Sequence, residues 1–230
     1  MKPRVICHML GCVDGRLHPS RYTASPDGQR RDWSATYDKV HEQLGGDGWL
    51  VGRVTMAEMS KAEPHPPAEV GQVDRPVHVA RTAESYALAL DRSGKLHFAK
   101  DNVGGDHVVV LLGHDVPDAH LAELANDGVS YIVAEDAQMD LAPMLELLHE
   151  RFGIRRLLLE GGAGINGSLL AAGLVDELSV LVAPALDGSE NVQGIVAFDR
   201  GLAGKVQLSL LAAETLDHGM VHLRYRVLPA

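Results

Sequence analysis

The chain has 230 residues, of which 46% are hydrophobic, 23% charged and 4% aromatic, and it carries a formal net charge of −10. That length and composition support a packed core built from Val, Leu, Ile and Ala without covalent staples, and they exclude a nucleic-acid surface, which needs clustered Lys and Arg to neutralise phosphates. The basic residues are scattered, with Arg30-Arg31 and Arg155-Arg156 the only adjacent arginine pairs.

Val5 to Leu10 reads as a buried strand bounded by Gly11. Its short apolar stretch is a poor secretory signal, and no run in the chain reaches the ~18 apolar residues of a membrane span. Cys7 and Cys12 are too far apart on an extended segment to form a disulfide. Together these point to a cytoplasmic protein with no membrane partner. A polar loop then runs to Asp32, and Ser34 is a good N-cap for a helix with Tyr37, Val40, His41 and Leu44 on one face. Gly45-Gly46 stops that helix. Trp49-Leu50-Val51 is a short strand, Val54 to Met59 begins a helix, and Pro64-His65-Pro66-Pro67 is a loop.

Val77 to Ala80 is the next strand, followed by Val108 to Leu112, an unbroken apolar run of the kind found in parallel sheets. Pro117 starts a helix, Val129 to Ala134 is a strand, and Asp140 caps a helix with Leu141, Met144, Leu145 and Leu148 on one face. Ile154 to Leu159 is a strand, Ile165 to Ala172 a helix and Leu178 to Ala183 a strand. Leu186 to Lys205 is a long loop. Val206 to Leu216 and Met220 to Leu228 form a hairpin around Asp217-His218-Gly219. Strands alternating with helices imply a mainly parallel sheet flanked by helices, and one domain spanning residues 1–230 is the simplest organisation.

Three strand-to-loop junctions carry chemistry. After Leu157-Leu158-Leu159 comes Glu160, then Gly161, Gly162, Ala163, Gly164, Ile165 and Asn166 at a helix start. Such a turn lets backbone N–H groups approach a phosphate without Cβ obstruction, and the helix dipole favours an anion. Locally it is equally a tight turn that binds nothing, since the acidic residue of a dinucleotide unit is not where that fold needs it. Leu50-Val51-Gly52-Arg53-Val54-Thr55 repeats the pattern: Arg53 and Thr55 can reach a diphosphate or 2′-phosphate, or else stand as a solvated Arg and a capping Thr. Gly11-Cys12-Val13-Asp14-Gly15-Arg16-Leu17 is, alone, a turn. Cys12 is read as a small apolar residue at a strand end. Twelve histidines are spread without H-E-x-x-H or C-x-x-C spacing, so no metal is expected.

Taken together, the three junctions resemble the pyrimidine reductases of riboflavin biosynthesis, a branch of the dihydrofolate-reductase-like proteins. Asp14-Gly15-Arg16-Leu17 is similar to that family's S-L-D-G-[KR]-I opening, and Gly52-Arg53-Val54-Thr55 to its G-R-x-T cofactor segment. Glu160-Gly161-Gly162, Asn166 to Leu170 and Leu174-Val175-Asp176-Glu177-Leu178 resemble its E-G-G-x-x-L-N-G-S-L-L-x-x-G-L-V-D-E-L signature. The resemblance implies a dihydrofolate-reductase-like mixed sheet, mainly parallel, ending in an antiparallel hairpin. It implies NADPH contacted by Gly52, Arg53, Thr55 and the run Gly161 to Asn166, with Arg81 and Thr82 at the 2′-phosphate and Trp33 lining the cofactor cleft. It puts Asp14 and Glu160 on the substrate side, and it implies a homodimer.

The expected activity is hydride transfer from NADPH to a C=N or C=O carbon of a small heterocyclic or sugar-derived substrate. The alternatives are a folate or pterin reductase, a reductase of an unrelated carbonyl compound, and a module that binds NADPH without turnover. The family's D-D-P-x-L-T-x-R segment, which holds the substrate phosphate, is replaced here by Ser60 to Pro67 and lacks the arginine. Weak turnover of the phosphorylated pathway intermediate is therefore expected.

Overall fold

In the computed structural model, residues 1–64 and 71–230 are described. Most of the Pro-rich segment after the second helix thus lies outside the described residues. The strands and helices, in chain order, are β1 (Arg4–Cys12), α1 (Arg30–Leu44), β2 (Gly48–Gly52), α2 (Arg53–Ser60), β3 (Val77–His78), β4 (Tyr86–Asp91), β5 (Asn102–Val103), β6 (Asp106–Leu112), α3 (Asp118–Asn126), β7 (Ser130–Val133), α4 (Leu141–Phe152), β8 (Arg156–Leu159), α5 (Ala163–Ala171), β9 (Glu177–Ala183), β10 (Val206–Thr215) and β11 (Val221–Pro229). They fall into two compact units. Unit 1 is Met1–Pro3 with Asp47–Leu157, and unit 2 is Arg4–Gly46 with Leu158–Ala230. β8 carries the chain from one to the other.

Unit 1 is a helix-covered sheet in the order β2-β4-β6-β7-β3. The pairs β2·β4, β4·β6 and β6·β7 are parallel, whereas β3 joins β7 antiparallel and β5 joins β6 antiparallel. As the unbroken apolar run suggests, Val108 to Leu112 are fully buried. The sequence pattern predicts no element over Tyr86–Asp91, yet β4 is an internal strand of this sheet. Its alternating Ala and Leu carry little β-propensity, so pairing on both sides makes it a strand. β3 is two residues shorter than expected because the Ala80 N–H donates to Ser130 Oγ (3.0 Å) and leaves the ladder. Asp140 caps α4 as expected, accepting from the Ala142 N–H.

Unit 2 is a sheet in the order β10-β11-β9-β1, with β1·β9 parallel and β9·β11 and β10·β11 antiparallel. The C-terminal hairpin turns through His218 (φ 61°) and Gly219 (φ 69°). α1 packs on β1, burying Trp33 and Val40 with Cys12, Leu181, Ala183 and Met220. It starts a full turn before Ser34. Gln29 and Asp32 form a reciprocal capping box, in which Asp32 Oδ2 accepts the Gln29 N–H at 2.9 Å and the Gln29 side chain accepts the Asp32 N–H. That arrangement overrides the local preference for a serine cap. Gly45, at φ 61°, closes the helix as expected. Cys7 and Cys12 are unpaired thiols.

Candidate active site

In unit 2, β8 ends at Leu159 and the chain passes through Glu160 to α5. Gly161 sits at φ 107°, which a side chain adopts only under strain, and Gly162 is the N-cap of α5 with extended angles (φ −77°, ψ −175°). No side chain caps this helix. Helix geometry leaves the N–H groups of Ala163, Gly164 and Ile165 without intrahelical acceptors. A Cβ added at Gly162 or Gly164 would meet nothing within 4 Å. The turn is therefore an open, positively polarised backbone edge, which fits a diphosphate group. Asn166, the last residue of the expected cofactor run, is fully buried. Its Nδ2 donates to the Ile195 carbonyl (2.7 Å) and lies 3.2 Å from Met9 Sδ, while its Oδ1 has no partner. Its side chain thus holds the 195–198 loop against α5.

Glu160 is engaged by an imidazole. His41 Nδ1, from the last turn of α1, lies 2.8 Å from Glu160 Oε1, with the two side chains 33% and 11% exposed. Burial, reinforced by the Glu160 charge, raises the Tyr37 hydroxyl well above its ordinary pKa and the Cys7 thiol to about 12. Neither group ionises near neutral pH. His8 stacks on Tyr37 at 4.4 Å, and its Nδ1 meets Ser179 Oγ at 3.0 Å. That hydroxyl in turn meets His222 Nε2 at 2.8 Å. Burial lowers the His8 pKa to about 4, partly offset by Glu160, so the ring is neutral. The sequence signal for this cluster was a pair of polar groups, Tyr37 and His41, on the apolar stripe of α1. Helical spacing alone makes them packing residues, and it carries no signal for the His41–Glu160 pair, whose members are 119 residues apart.

Asp14 has a different environment. Its carboxylate accepts from Cys12 Sγ (2.8 Å) and from the backbone N–H groups of Asp187 (3.1 Å) and Gly188 (2.8 Å). These bonds, led by the one from Cys12, lower its pKa to about 2. Asp14 therefore stands as a permanent carboxylate that ties the end of β1 to the 187–188 loop. Trp33 lies in the core of unit 2, 2% exposed, with its indole N–H donating to the His218 carbonyl at 3.3 Å. It offers almost no surface to a ligand and supports α1 from within.

In unit 1, Gly52 is the N-cap of α2 and again no side chain caps the helix. Arg53 is exposed at the first helical position and Thr55 is half-buried. Beyond β3, Thr82 is exposed. The Arg81 guanidinium is already paired, its Nε 2.6 Å from Asp101 Oδ2. The Asp101 carbonyl and carboxylate lie 3.0 Å and 3.7 Å from His107 Nδ1, and His107 Nε2 meets Ser130 Oγ at 2.8 Å. The same hydroxyl accepts the Ala80 N–H. A network of Asp101, His107 and Ser130 thus holds the chain at Ala80 and the guanidinium of Arg81, and an anion bound there competes with Asp101.

A 2,5-diamino-6-ribosylamino-4(3H)-pyrimidinone 5′-phosphate reductase from Methanothermobacter thermautotrophicus is 27% identical over 231 residues, covering 96% of this chain and 97% of that protein. The enzyme of the same description from Aquifex aeolicus is 35% identical over 196 residues, covering 85% and 83%. Among solved structures, a pyrimidine reductase-like protein from Corynebacterium diphtheriae superposes with a TM-score of 0.69 at 20% identity, covering 99% of this chain and 93% of that one. Acinetobacter baumannii RibD superposes at 0.67 and 22% identity, and there 99% of this chain covers 58% of the other. The family model described as the RibD C-terminal domain matches residues 3–222, and the chain belongs to that family.

Proposed function

We propose that this protein is an NADPH-dependent reductase that delivers hydride to a C=N or C=O carbon of a ribosylamino-pyrimidine or a close heterocyclic analogue. The observation that carries the reading is the uncapped, glycine-lined N-terminus of α5 placed directly after Glu160. The reductase class follows from the family and from the shared description of both relatives. NADPH supplies the hydride. In unit 2 the residues proposed to hold it are Gly161 to Ile165, with Asn166 behind them; in unit 1, taken by itself, Gly52, Arg53 and Thr55 at the start of α2, with Arg81 and Thr82 beyond β3, are proposed as phosphate contacts.

Hydride addition to a C=N or C=O carbon leaves a basic nitrogen or oxygen that must take up a proton. Glu160, hydrogen-bonded to His41 at 2.8 Å, is the group proposed to hold that proton or to orient the water that delivers it. Asp14 is the poorer acid because its carboxylate stays ionised down to about pH 2 and its oxygens are committed to the loop. Its proposed role is positioning. Cytoplasmic work accords with the unpaired thiols, and no described helix is long and apolar enough to cross a membrane. A homodimer accords with the apolar outer hairpin, where Leu208 (49%), Leu210 (59%) and Leu228 (39%) are exposed.

The test is NADPH oxidation followed on adding the ribosylamino-pyrimidinone, with and without its 5′-phosphate. Turnover of either supports the reading, with the dephosphorylated compound expected to compete well because Ser60 to Pro67 lacks the arginine. A protein that neither binds NADPH nor oxidises it with either compound refutes it.

A further inference from the structure

A second cluster of ligating side chains lies in unit 1, outside every segment discussed so far. His97, on the turn after β4, and His120 and Glu123, three residues apart on α3, bring one nitrogen or oxygen each to within 4.8 Å of one another. Among the described residues it is the one such group of three or more His, Cys, Asp or Glu side chains. His97 Nδ1 bonds to Glu123 Oε1, and His120 Nδ1 lies 3.7 Å from Glu123 Oε2. His120 and Glu123 are 8% and 5% exposed and His97 is 21% exposed. The cluster is thus sealed on the helix side and reachable past His97.

Its surroundings are constructed. Asp91, itself 1% exposed, accepts the backbone N–H groups of Lys95 (2.5 Å) and Leu96 (2.7 Å), which fixes the turn immediately before His97. Gly94, at φ 60°, lets that turn lie against α3, since a Cβ there would stand 2.8 Å from Val116 Cγ1 and 3.0 Å from His120 Cδ2. His120 Nε2 is buried without a hydrogen-bond partner. A 92%-buried imidazole with one nitrogen unpartnered and the other 3.7 Å from its acceptor is poorly satisfied by the protein alone.

We propose that His97, His120 and Glu123 form a binding site for a divalent transition cation of the zinc class, pinning the 92–98 turn to α3. Two imidazoles and one carboxylate are a suitable donor set for such an ion and leave a fourth position for water. At ligand bonds of about 2.0–2.1 Å, tetrahedral donors stand roughly 3.3 Å apart. The His120–Glu123 separation is already within a few tenths of an ångström of that. The closer His97–Glu123 pair opens as the ion inserts and the proton between them is displaced. The site is independent of the reductase reading, because neither hydride transfer nor the α5 turn uses these residues.

The test uses tag-free protein, stripped with chelator and titrated with Zn²⁺ and with Co²⁺. One ion per chain is expected, with the Co²⁺ protein showing the intense visible bands of a tetrahedral site and Zn²⁺ raising the melting temperature. His97→Gln, at the more accessible ligand, and Glu123→Gln are each expected to weaken Zn²⁺ binding by more than about 100-fold, beyond the usual effect of outer-sphere changes. His114→Ala, at an exposed histidine outside the cluster, is expected to change nothing. If Glu123→Gln unfolds the protein, His97→Gln decides alone. Zn²⁺ affinity equal in wild type and His97→Gln, or Co²⁺ spectra of a hexa-aquo type only, overturns the proposal.

Discussion

Replacing Gly162 by valine separates a cofactor cradle from a mere turn. Gly162 has φ and ψ in the extended region open to residues with side chains, and a Cβ added there meets no atom within 4 Å beyond its chain neighbours. The folding cost is then that of a poorer N-cap, about 1 kcal/mol. For a chain of this size that lowers the melting temperature by about 2–4 °C. The binding cost is larger. If the diphosphate takes two charge-assisted N–H bonds at this terminus, each worth roughly 1.5–3 kcal/mol, blocking both costs roughly 3–6 kcal/mol. That weakens NADPH by about two to four orders of magnitude. A fluorescence titration and a thermal melt on the same sample read both effects. Affinity within about threefold of wild type, in a protein that melts only a few degrees lower, refutes the cradle and leaves a structural turn.

Four further outcomes follow from the same geometry. Gly167→Ala places a Cβ 2.0 Å from the Ala197 carbonyl oxygen and 2.7 Å from its carbon, which no rotamer relieves. A loss of about 3 kcal/mol or more is expected, and an unchanged melt would contradict the packing of the 195–198 loop. Glu160→Gln should lower kcat by about 10²–10⁴-fold, whereas Asp14→Asn should mainly loosen the 187–188 loop and raise KM. Equal losses of kcat in the two variants would undo the division of roles. Arg53→Ala should weaken NADPH about 10- to 150-fold and leave NADH unchanged, for a lost charge-assisted bond of roughly 1.5–3 kcal/mol. Finally, His8 binds its proton near pH 4 in the folded protein and near 6.5 unfolded. Stability is thus complete above pH 6.5 and lost as pH falls toward 4, by about 3 kcal/mol from this residue. Urea denaturation at pH 7 and pH 5 checks it, and His8→Gln should reduce the difference, leaving the share of the buried His107, His120 and His222, whose pKa values burial also lowers.

The order of alternating elements was legible because apolar runs and Gly or Pro stops recur at element spacing. So was the Glu160 junction, whose glycines are needed by backbone angle at Gly161 and by close approach at Gly167. What escaped depended on partners distant in sequence. β4 needs its neighbours on both sides to declare itself. Asp14 looked like a turn residue beside a substrate, and only the Asp187 and Gly188 N–H groups show that its charge is spent on a loop. Arg81 looked like an unengaged phosphate ligand until Asp101, twenty residues away, was found on its guanidinium. His97 is well separated from His120 and Glu123, so no motif spacing joins them, and only the fold of the 92–98 turn does. The Gln29–Asp32 box was within local reach, but a serine one turn later fitted the simpler rule.

The pairing of β1 with β9 sets the timing of this protein's birth. His8 and Ser179, which meet across that pair, are separated by 171 residues, and all of unit 1 except its first three residues is synthesised between them. At roughly 5–20 residues per second, β1 waits about 9–34 s after leaving the ribosome before β9 exists. During that interval unit 1 has every strand of its sheet available and can fold first. The nascent chain therefore holds the complete inserted unit while the apolar strand β1 still lacks β9, and partly formed sheet edges of this kind are prone to aggregate.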